Sequence, residues 1–358
     1  MKRYTLYIYA SALSAFALAS CSKGLTEGLD DVSVGVVTNE NVVRDGMVVT
    51  AKKGQPIEFT INGEPDFVTF YSGELGHQYI YKDRTSISAE DVTDAELSFY
   101  LYRDTGADFG KGNERDNNTL DIFYTYTDEG AGLTGFPGLA KDNFDADYAA
   151  VKGFAWTTMV EHDEFYSLGT NVVSAMANGA FTLPVKDYIG KNLVIAIAYN
   201  KDERQNPSAS GGTATNQHAY YFNTMGITTT LRSGQEFTQY ASSFKFTALN
   251  LDDKSYTTVT NNTSGRWNLS SASAGNFFIH STASSADWKT SWLVSDPIDI
   301  LACEPDKGEN IKNISQDVPT YTYTYNKVGT YTATFVVTNG NYKHEDRGVY
   351  QIVVNVTE

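Results

Sequence analysis

The feature that most constrains this chain is a pair of alternating strands close to its C-terminal end. Tyr331, Ala333, Phe335 and Val337 occupy every second position, and a similar alternation resumes between residues 349 and 356 after a polar loop. This period predicts strands with one apolar face. Because two or three such strands do not bury that face on their own in water, the rest of the sandwich must come from elsewhere in the sequence.

The matching segments lie near the opposite end of the chain. Residues 56–61 alternate apolar and polar side chains, and a second predicted strand follows at 66–71 after an Asn62-Gly63 turn. If these segments pair with the C-terminal strands, everything between the two halves is an insertion. We therefore expect one domain whose two sequence halves flank another.

The intervening segment also has the pattern of a β protein. Short β-prone runs, such as 96–102, 120–126 and 193–199, are separated by loops rich in Gly, Asn and Ser. Many short strands with frequent turns predict an antiparallel sandwich. One short helix is predicted at 143–151, with Asp142 as its N-cap.

The first 20 residues have the pattern of a bacterial export signal. A charged start precedes an apolar run that is too short to span a bilayer. The run ends in Leu18-Ala19-Ser20-Cys21, which resembles a lipobox, the signal for lipidation of a cysteine and cleavage before it. We therefore predict a signal peptide at 1–20, lipidation of Cys21 and a polar tether at 21–33. A plain secretory peptide with an accidental cysteine is the alternative.

Charge and cysteine content narrow the possible functions. The net charge of −16 argues against binding to nucleic acid or to an anionic membrane surface, so we expect membrane contact through the lipid alone. The only cysteine besides Cys21 is Cys303. If Cys21 carries lipid, no intramolecular disulfide is available, and stability must come from buried apolar surface. We expect Cys303 to be a small buried apolar residue.

The sequence lacks the common catalytic motifs. It contains no Gly-x-Ser-x-Gly, His-Glu-x-x-His or Cys-x-x-Cys pattern, and its five histidines are scattered. We therefore expect a protein that is not an enzyme. One loop carries several oxygen ligands of the kind that Ca²⁺ prefers, with a solvated acidic loop as the alternative interpretation. The candidate metal ligands are Asp104, Asp108, Asn113 and Asp116.

The four tryptophans separate into two pairs. Trp156 and Trp292 lie in alternating apolar strands and are predicted to be in the core. Trp267 and Trp288 have polar neighbours on both sides, which makes them the better candidates for exposed aromatic faces that bind a ligand. Burial under loops is the alternative for this second pair. The neighbouring candidates for hydrogen bonds to a ligand are Arg266, Asn268 and Asp287.

Three stretches resemble known families. The segment from Tyr325 through Gly329-Thr330-Tyr331 to Asn339 resembles the back half of a PKD-type immunoglobulin-like sandwich. Phe70-Tyr71-Ser72-Gly73-Glu74 and its continuation to Arg84 resemble a family of Bacteroidetes outer-membrane lipoproteins of unassigned function, in which the two halves flank an inserted domain. Within residues 85–312, three places resemble the jelly rolls of choice-of-anchor modules: Leu120–Thr127, the strand from Gly190 to Ala198-Tyr199, and Trp292-Leu293-Val294-Ser295-Asp296-Pro297. Such jelly rolls are similar in plan to carbohydrate-binding modules.

The resemblance implies a fold and a role. The expected fold is all-β, with a PKD/Ig-like sandwich formed by 34–84 and 313–358 and split by a jelly roll at 85–312. The implied role is non-catalytic capture of glycan at the exterior face of the outer membrane, beside a polysaccharide importer. The alternative is a structural or adhesive surface protein, fimbrial or binding to host protein.

Overall fold

A computed structural model describes residues 28–103, 120–126, 135–160, 168, 172–200, 217–282, 287–340 and 343–358. The chain divides into two compact units. Among the described residues, the split unit comprises those at 28–84 and 305–358, and the inserted unit comprises those between 85 and 304. The described residues are nearly all in strands and loops, so the all-β prediction is confirmed.

The described residues form twenty strands and two α-helices. In chain order the strands are β1 (Ser33–Val36), β2 (Val42–Asp45), β3 (Val48–Lys52), β4 (Pro56–Asn62), β5 (Phe67–Tyr71), β6 (Val92–Arg103), β7 (Leu120–Tyr126), β8 (Thr157–Val160), β9 (Ala180–Pro184), β10 (Leu193–Tyr199), β11 (Tyr220–Leu231), β12 (Glu236–Tyr240), β13 (Thr247–Asn250), β14 (Trp267–Ser271), β15 (Asn276–Ile279), β16 (Ser291–Val294), β17 (Glu309–Lys312), β18 (Thr320–Thr324), β19 (Gly329–Gly340) and β20 (Glu345–Thr357). The helices are α1 (Phe144–Gly153) and α2 (Val172–Asn178).

The split unit is built from two sheets that take strands from both ends of the chain. The smaller sheet has the order β1-β4-β18, and the larger has the order β17-β5-β19-β20-β3-β2. All pairs are antiparallel except β20 with β3. Strand β4 pairs with β18, and β5 pairs with both β17 and β19, so neither half of the unit forms its sheets alone.

The core of the split unit lies between these sheets. Phe59 of the smaller sheet contacts Phe70 and Phe335 of the larger one, with ring centroids 5.9 and 5.1 Å away. All three rings are buried, at positions where the alternating pattern points inward. The hydroxyl of buried Tyr325 donates to the carbonyl of Ser72 at 2.7 Å. The apolar faces predicted from the sequence therefore supply this core.

One boundary differs from the expected division. The sequence pattern predicts that residues 305–312 lie in the insertion, but they belong to the split unit. The reason is that β17 pairs with β5, aligning Glu309 with Phe70. The jelly-roll connectivity expected for the insertion stays a prediction.

The inserted unit has the two-sheet arrangement of a β-sandwich. One sheet has the order β13-β16-β10-β7-β8, and the other has the order β14-β15-β11-β6-β9, with β12 pairing along β11. Their inner faces share one large apolar core. It includes Phe99 and Phe222 of the six-stranded sheet and Ile195 and Ile197 of the five-stranded sheet, all of them buried.

A second apolar cluster lies on the other face of the five-stranded sheet. Val194 and Ala196 alternate with the inward residues of β10. They pack in a cluster with Phe136, from the loop before α1, and with Val151 of α1. All seven residues of β10 are consequently buried. The helix therefore covers the outer face of this sheet.

The N-terminal cap of α1 lies one residue later than the sequence predicts. The N-cap is Asn143, whose Oδ1 accepts a hydrogen bond from the Ala146 amide, whereas Asp142 was expected in that role. The acid that stabilises this region is Asp147 in the first turn. Its carboxylate accepts hydrogen bonds from the amides of Ala140 and Lys141 and from the hydroxyl of Tyr256, at 2.8–2.9 Å.

Candidate functional site

The two tryptophans expected to form a ligand platform are buried. Trp267 is 0 % exposed and Trp288 is 1 % exposed, so the prediction of exposed indole faces is wrong. Trp267 lies at the first position of β14 with its side chain in the core, and its ring centroid is 6.5 Å from that of Phe222 and 6.3 Å from that of Phe277. Polar neighbours in sequence misled the prediction because successive residues of a strand face opposite sides.

The neighbouring candidates do not converge on one surface. The guanidinium of Arg266 forms an ion pair with Asp253. Asn268 is buried, and its Oδ1 accepts hydrogen bonds from the amide and the hydroxyl of Ser270 at 3.0 and 2.7 Å. Asp287 is exposed. Of these three residues, Asn268 alone lines a concave surface formed with residues of β11 and β15.

Several candidates lie outside the described residues. These are Cys21 and the proposed calcium ligands Asp104, Asp108, Asn113 and Asp116. Among the residues that the structure does describe, no cluster of three or more His, Cys, Asp or Glu side chains is arranged to hold a metal ion. In that same part of the chain, no helix has the length and apolar character required to cross a membrane. Cys303 is in no disulfide and packs, partly buried, against the core of the inserted unit.

A row of aromatic rings crosses the outer face of the six-stranded sheet of the inserted unit. It consists of Tyr102 of β6, Tyr221 of β11 and Phe278 of β15, and we call it the aromatic row. Tyr221 is the register partner of both Tyr102 and Phe278, so the three side chains lie side by side on adjacent strands. Each ring is partly exposed, whereas the flanking residues Phe222 and Phe277 are buried in the core.

The rings of the aromatic row overlap each other. The centroids of Tyr102 and Tyr221 are 4.7 Å apart with planes 7° from parallel, and those of Tyr221 and Phe278 are 4.9 Å apart at 22°. Parallel rings in van der Waals contact at this centroid separation are displaced sideways by about 3 Å. Part of each ring face is therefore left uncovered by its neighbour, and the row forms a continuous apolar ridge.

A shallow depression lies on each side of the aromatic row, and both are lined by Tyr221 and Phe278. The first has a volume of about 210 Å³, and the second about 370 Å³. The polar residues that line the first are Asn223, Asn268, Ser270, Ser271 and Asn276. Those that line the second are Asn262, Ser264, His280, Ser281 and Thr282. The linings therefore combine aromatic rings with amide and hydroxyl groups, as binding sites for small polar ligands do.

Each depression contains a shielded nitrogen without a hydrogen bond. Within the described part of the chain, Nδ2 of Asn223 and Nε2 of His280 are buried and have no partner. A buried polar group left unpaired costs about 1–3 kcal/mol. Both atoms belong to side chains that line the depressions, one on each side of the same apolar ridge.

The imidazole of His280 is neutral at neutral pH. Burial lowers the pKa of His280 below its usual 6.5, and a backbone hydrogen bond with Asn261 opposes this only in part. The same ring lies against Phe278, with centroids 4.4 Å apart and planes 76° from parallel. Because Nε2 has no partner, we assign the hydrogen bond with Asn261 to Nδ1, which leaves Nε2 as an acceptor in the neutral ring.

Sequence reasoning missed the aromatic row, although a signal for it was present. Each strand carries consecutive or alternating large apolar residues, as in Tyr220-Tyr221-Phe222 and Phe277-Phe278. Since adjacent side chains of a strand point to opposite faces, one aromatic of each run must face outward. The pattern did not reveal that three such residues, on strands that are far apart in sequence, are aligned side by side in the sheet.

The split unit has a concave surface of its own. It has a volume of about 290 Å³ and lies between β19, β20 and the loop after β5. Its lining residues are Gly73, Gln78, Tyr79, Ile80, Thr330, Thr332, Thr334 and Gln351. Tyr79 is the single aromatic residue in that lining, so the surface lacks the stacked rings found on the inserted unit.

Comparison with known proteins identifies the family. Residues 20–245 match the family described as "Domain of unknown function (DUF5017)", which is more than half of the chain. The chain belongs to the DUF5017 family. The match takes in β6, β11 and thus two of the three rings of the aromatic row, Tyr102 and Tyr221. The description of the DUF5017 family assigns it no function.

Other comparisons add little to the family assignment of this DUF5017 chain. No curated protein matches it. One similar solved structure is the C-terminal domain of the Streptococcus pyogenes antigen I/II-family protein AspA, at 12 % identity, covering 92 % of this chain and 100 % of that chain. The TM-score is 0.08, and at that value the likeness supports no conclusion about fold or function.

Proposed function

We propose that this protein is a lipid-anchored surface protein that captures glycan without catalysing a reaction. The observation that carries the proposal is the aromatic row of Tyr102, Tyr221 and Phe278, flanked by depressions lined with amides and hydroxyls. The row takes the place of the two tryptophans that the sequence suggested.

Sugar chemistry matches this combination of groups. A sugar ring presents C–H groups on one face, and these pack on aromatic surface, whereas its hydroxyls need hydrogen-bonding partners at the edges. The partly uncovered faces of the aromatic row supply the apolar contact. Asn223 and Asn276 on one side, and Asn262 and Ser264 on the other, supply polar groups at the borders.

The location completes the proposal. Lipidation of Cys21 anchors the chain in the outer membrane, and we place its body on the exterior face, next to a polysaccharide importer. Support comes from Leu18-Ala19-Ser20-Cys21 and from the resemblance to Bacteroidetes lipoproteins. The net charge of −16 supports a partner other than nucleic acid. The calcium site at Asp104–Asp116 stays a prediction and is not required for this function.

A glycan array probed with the full chain tests the proposed function. We expect retention on at least one polysaccharide, and we expect Tyr102→Ala and Tyr221→Ala to weaken it at least tenfold. Tyr102→Phe keeps the ring and is expected to bind within about threefold of the wild type, since it retains the apolar stacking surface.

The matched control is Tyr148→Ala. Tyr148 is a partly exposed tyrosine on α1, the helix that covers the other sheet, so its loss leaves the aromatic row intact. Thermal unfolding of every variant is measured to check that each is folded. Binding to host protein or self-association, with no glycan retained, would reject glycan capture in favour of an adhesive role.

A further inference from the structure

The two depressions are arranged along the direction of the strands. Asn276, Phe278 and His280 are alternate residues on the outer side of β15 and its continuation, so Asn276 borders one depression and His280 the other. Four residues of extended chain span about 13 Å. That distance corresponds to a short oligosaccharide and exceeds one sugar ring. The polar groups thus lie before and after the aromatic row along one axis.

The unpaired nitrogens indicate which ligand group could form a hydrogen bond at each end of this axis. Nδ2 of Asn223 is a donor, and Nε2 of the neutral His280 is an acceptor. A hydroxyl group satisfies both, because it donates one hydrogen bond and accepts others. A carboxylate or sulfate accepts hydrogen bonds but has no proton to give to the imidazole lone pair, so it leaves His280 unsatisfied.

The charges around the aromatic row favour the same class of ligand. Among the described residues that line the two depressions, none carries a carboxylate, ammonium or guanidinium group, and the one imidazole, that of His280, is neutral. Arg266, the cation next to β14, is already paired with Asp253. The chain carries a net charge of −16, so a polyanionic ligand would be repelled and would find no compensating cation among the described residues that line these depressions.

We infer that the aromatic row binds an uncharged oligosaccharide segment that lies along β15, crosses the three rings and places hydroxyls in both depressions. This inference rests on the proposed function and names the ligand class of the same site. Asn223 and His280 are its specificity-determining residues. The rings bind the sugar faces, and the two nitrogens select hydroxyls over anions.

Selection against charge is tested with polysaccharides that share a backbone. The probes are methyl-esterified and free polygalacturonate, dextran and dextran sulfate, and hydroxyethyl- and carboxymethylcellulose, together with an array of neutral glycans, all presented to the full chain. We expect every retained glycan to be uncharged, and any uncharged member of a pair that binds to do so at least tenfold more tightly than its anionic counterpart.

The outcomes separate this inference from the proposed function. Equal or tighter binding of an anionic member overturns the inference and leaves glycan capture standing. Retention of no glycan at all overturns both. The length of the ligand is checked with oligosaccharides of the retained glycan. Affinity should rise at least tenfold from the monosaccharide to the tetrasaccharide, and a flat profile would contradict a ligand that spans both depressions.

Substitutions on each side of the aromatic row test the two ends of the axis. Asn223→Ala and His280→Ala should each weaken binding of the retained neutral glycan roughly tenfold, the equivalent of one hydrogen bond. Asn262 is an exposed residue of the same depression as His280. If His280→Ala fails to fold, Asn262→Ala replaces it and should also weaken binding of the neutral glycan. Asn326→Ala, an exposed asparagine of the split unit, is the matched control. Unchanged affinity in both Asn223→Ala and Asn262→Ala overturns the assignment.

Discussion

The guanidinium of Arg84 and the carboxylate of Asp306 form a buried ion pair, although they are 222 residues apart in sequence. The Nη2–Oδ1 distance is 2.7 Å, and the side chains are 13 % and 1 % exposed. The other carboxylate oxygen of Asp306 accepts the amide hydrogen of Gln78 at 2.9 Å, and the guanidinium lies 4.0 Å from the ring centre of Tyr81. The pair joins the two halves of the split unit where the chain leaves it and returns.

Removing one member of this pair should destabilise the split unit strongly. Asp306→Ala leaves the Arg84 charge buried without its counter-ion, a change that costs about 3–5 kcal/mol in comparable pairs. Chemical denaturation of the full chain, followed by limited proteolysis of the split unit, measures the effect. Lys254→Ala is the control, since its pair with Asp145 is mostly exposed and should contribute little. Equal losses in the two variants would contradict a structural role for the buried pair.

The buried tryptophans should behave as core residues. Trp267→Ala and Trp288→Ala are each expected to lower the stability of the inserted unit by about 3–5 kcal/mol. Trp267→Phe should cost clearly less, because it also removes an indole N–H that is buried without a partner among the described residues. Thermal and urea unfolding measure these differences. A small loss for Trp267→Ala would show that its ring is not in the core.

The stability of the α1 region should depend on pH through Asp147. Burial acts to raise the pKa of this carboxyl, but hydrogen bonds from Ala140, Tyr256 and Lys141 outweigh it and hold the pKa below 3.8. The ionised form is therefore favoured by folding. Its stabilising contribution is present above the usual pKa and is lost as the pH falls through the lower folded value.

Asp147→Asn isolates this contribution. We expect the variant to be less stable than wild type by about 1–3 kcal/mol at neutral pH, because it loses charge-assisted hydrogen bonds. The difference should narrow as the pH falls below about 4. Urea unfolding across the acid range measures it. A difference that stays constant down to about pH 2 would contradict the lowered pKa.

Lipidation is predicted at Cys21. Cys21→Ala should abolish incorporation of labelled palmitate and release the protein from the membrane fraction, because no thiol then follows Leu18-Ala19-Ser20. Cys303→Ala is the control, since Cys303 lies in the inserted unit. Unchanged labelling of the Cys21 variant would reject the anchor.

The two halves of the split unit should depend on each other. A chain that ends at Glu304 lacks β17, β18, β19 and β20, the partners of β4, β5 and β3. We expect limited proteolysis to degrade residues 28–84 of this truncated chain while residues 85–304 survive. Survival of the N-terminal segment would show that it folds without its C-terminal partners.

The sequence correctly predicted buried strand faces where the apolar pattern lies within a single strand. The alternation around Phe335 correctly predicted the buried face of β19, and the apolar run 193–199 correctly predicted a core strand. Local patterns fail where burial depends on a neighbour. Trp267 has polar sequence neighbours, but its ring faces Phe222 and Phe277, which belong to other strands.

The candidate site was the least predictable part. Tyr102, Tyr221 and Phe278 are widely separated in sequence, and each is an ordinary strand aromatic when considered alone. Their alignment depends on the pairing of β6 with β11 and of β11 with β15, and a shift of one residue would turn any of these rings to the other face. Register is a property of the assembled sheet, so a pattern within one strand does not contain it.

The split unit also sets the order in which the chain acquires structure. Thr60 of β4 pairs with Thr320 of β18, so the N-terminal strands reach their final pairing only when the C-terminal strands are present. Until then the inserted unit has all of its own strands, whereas β4 and β5 lack their C-terminal partners and are prone to wrong pairing. Folding of the split unit therefore depends on roughly the fifty residues that supply β17 to β20. A premature stop before them yields a chain with a folded inserted unit and an unfolded N-terminal segment.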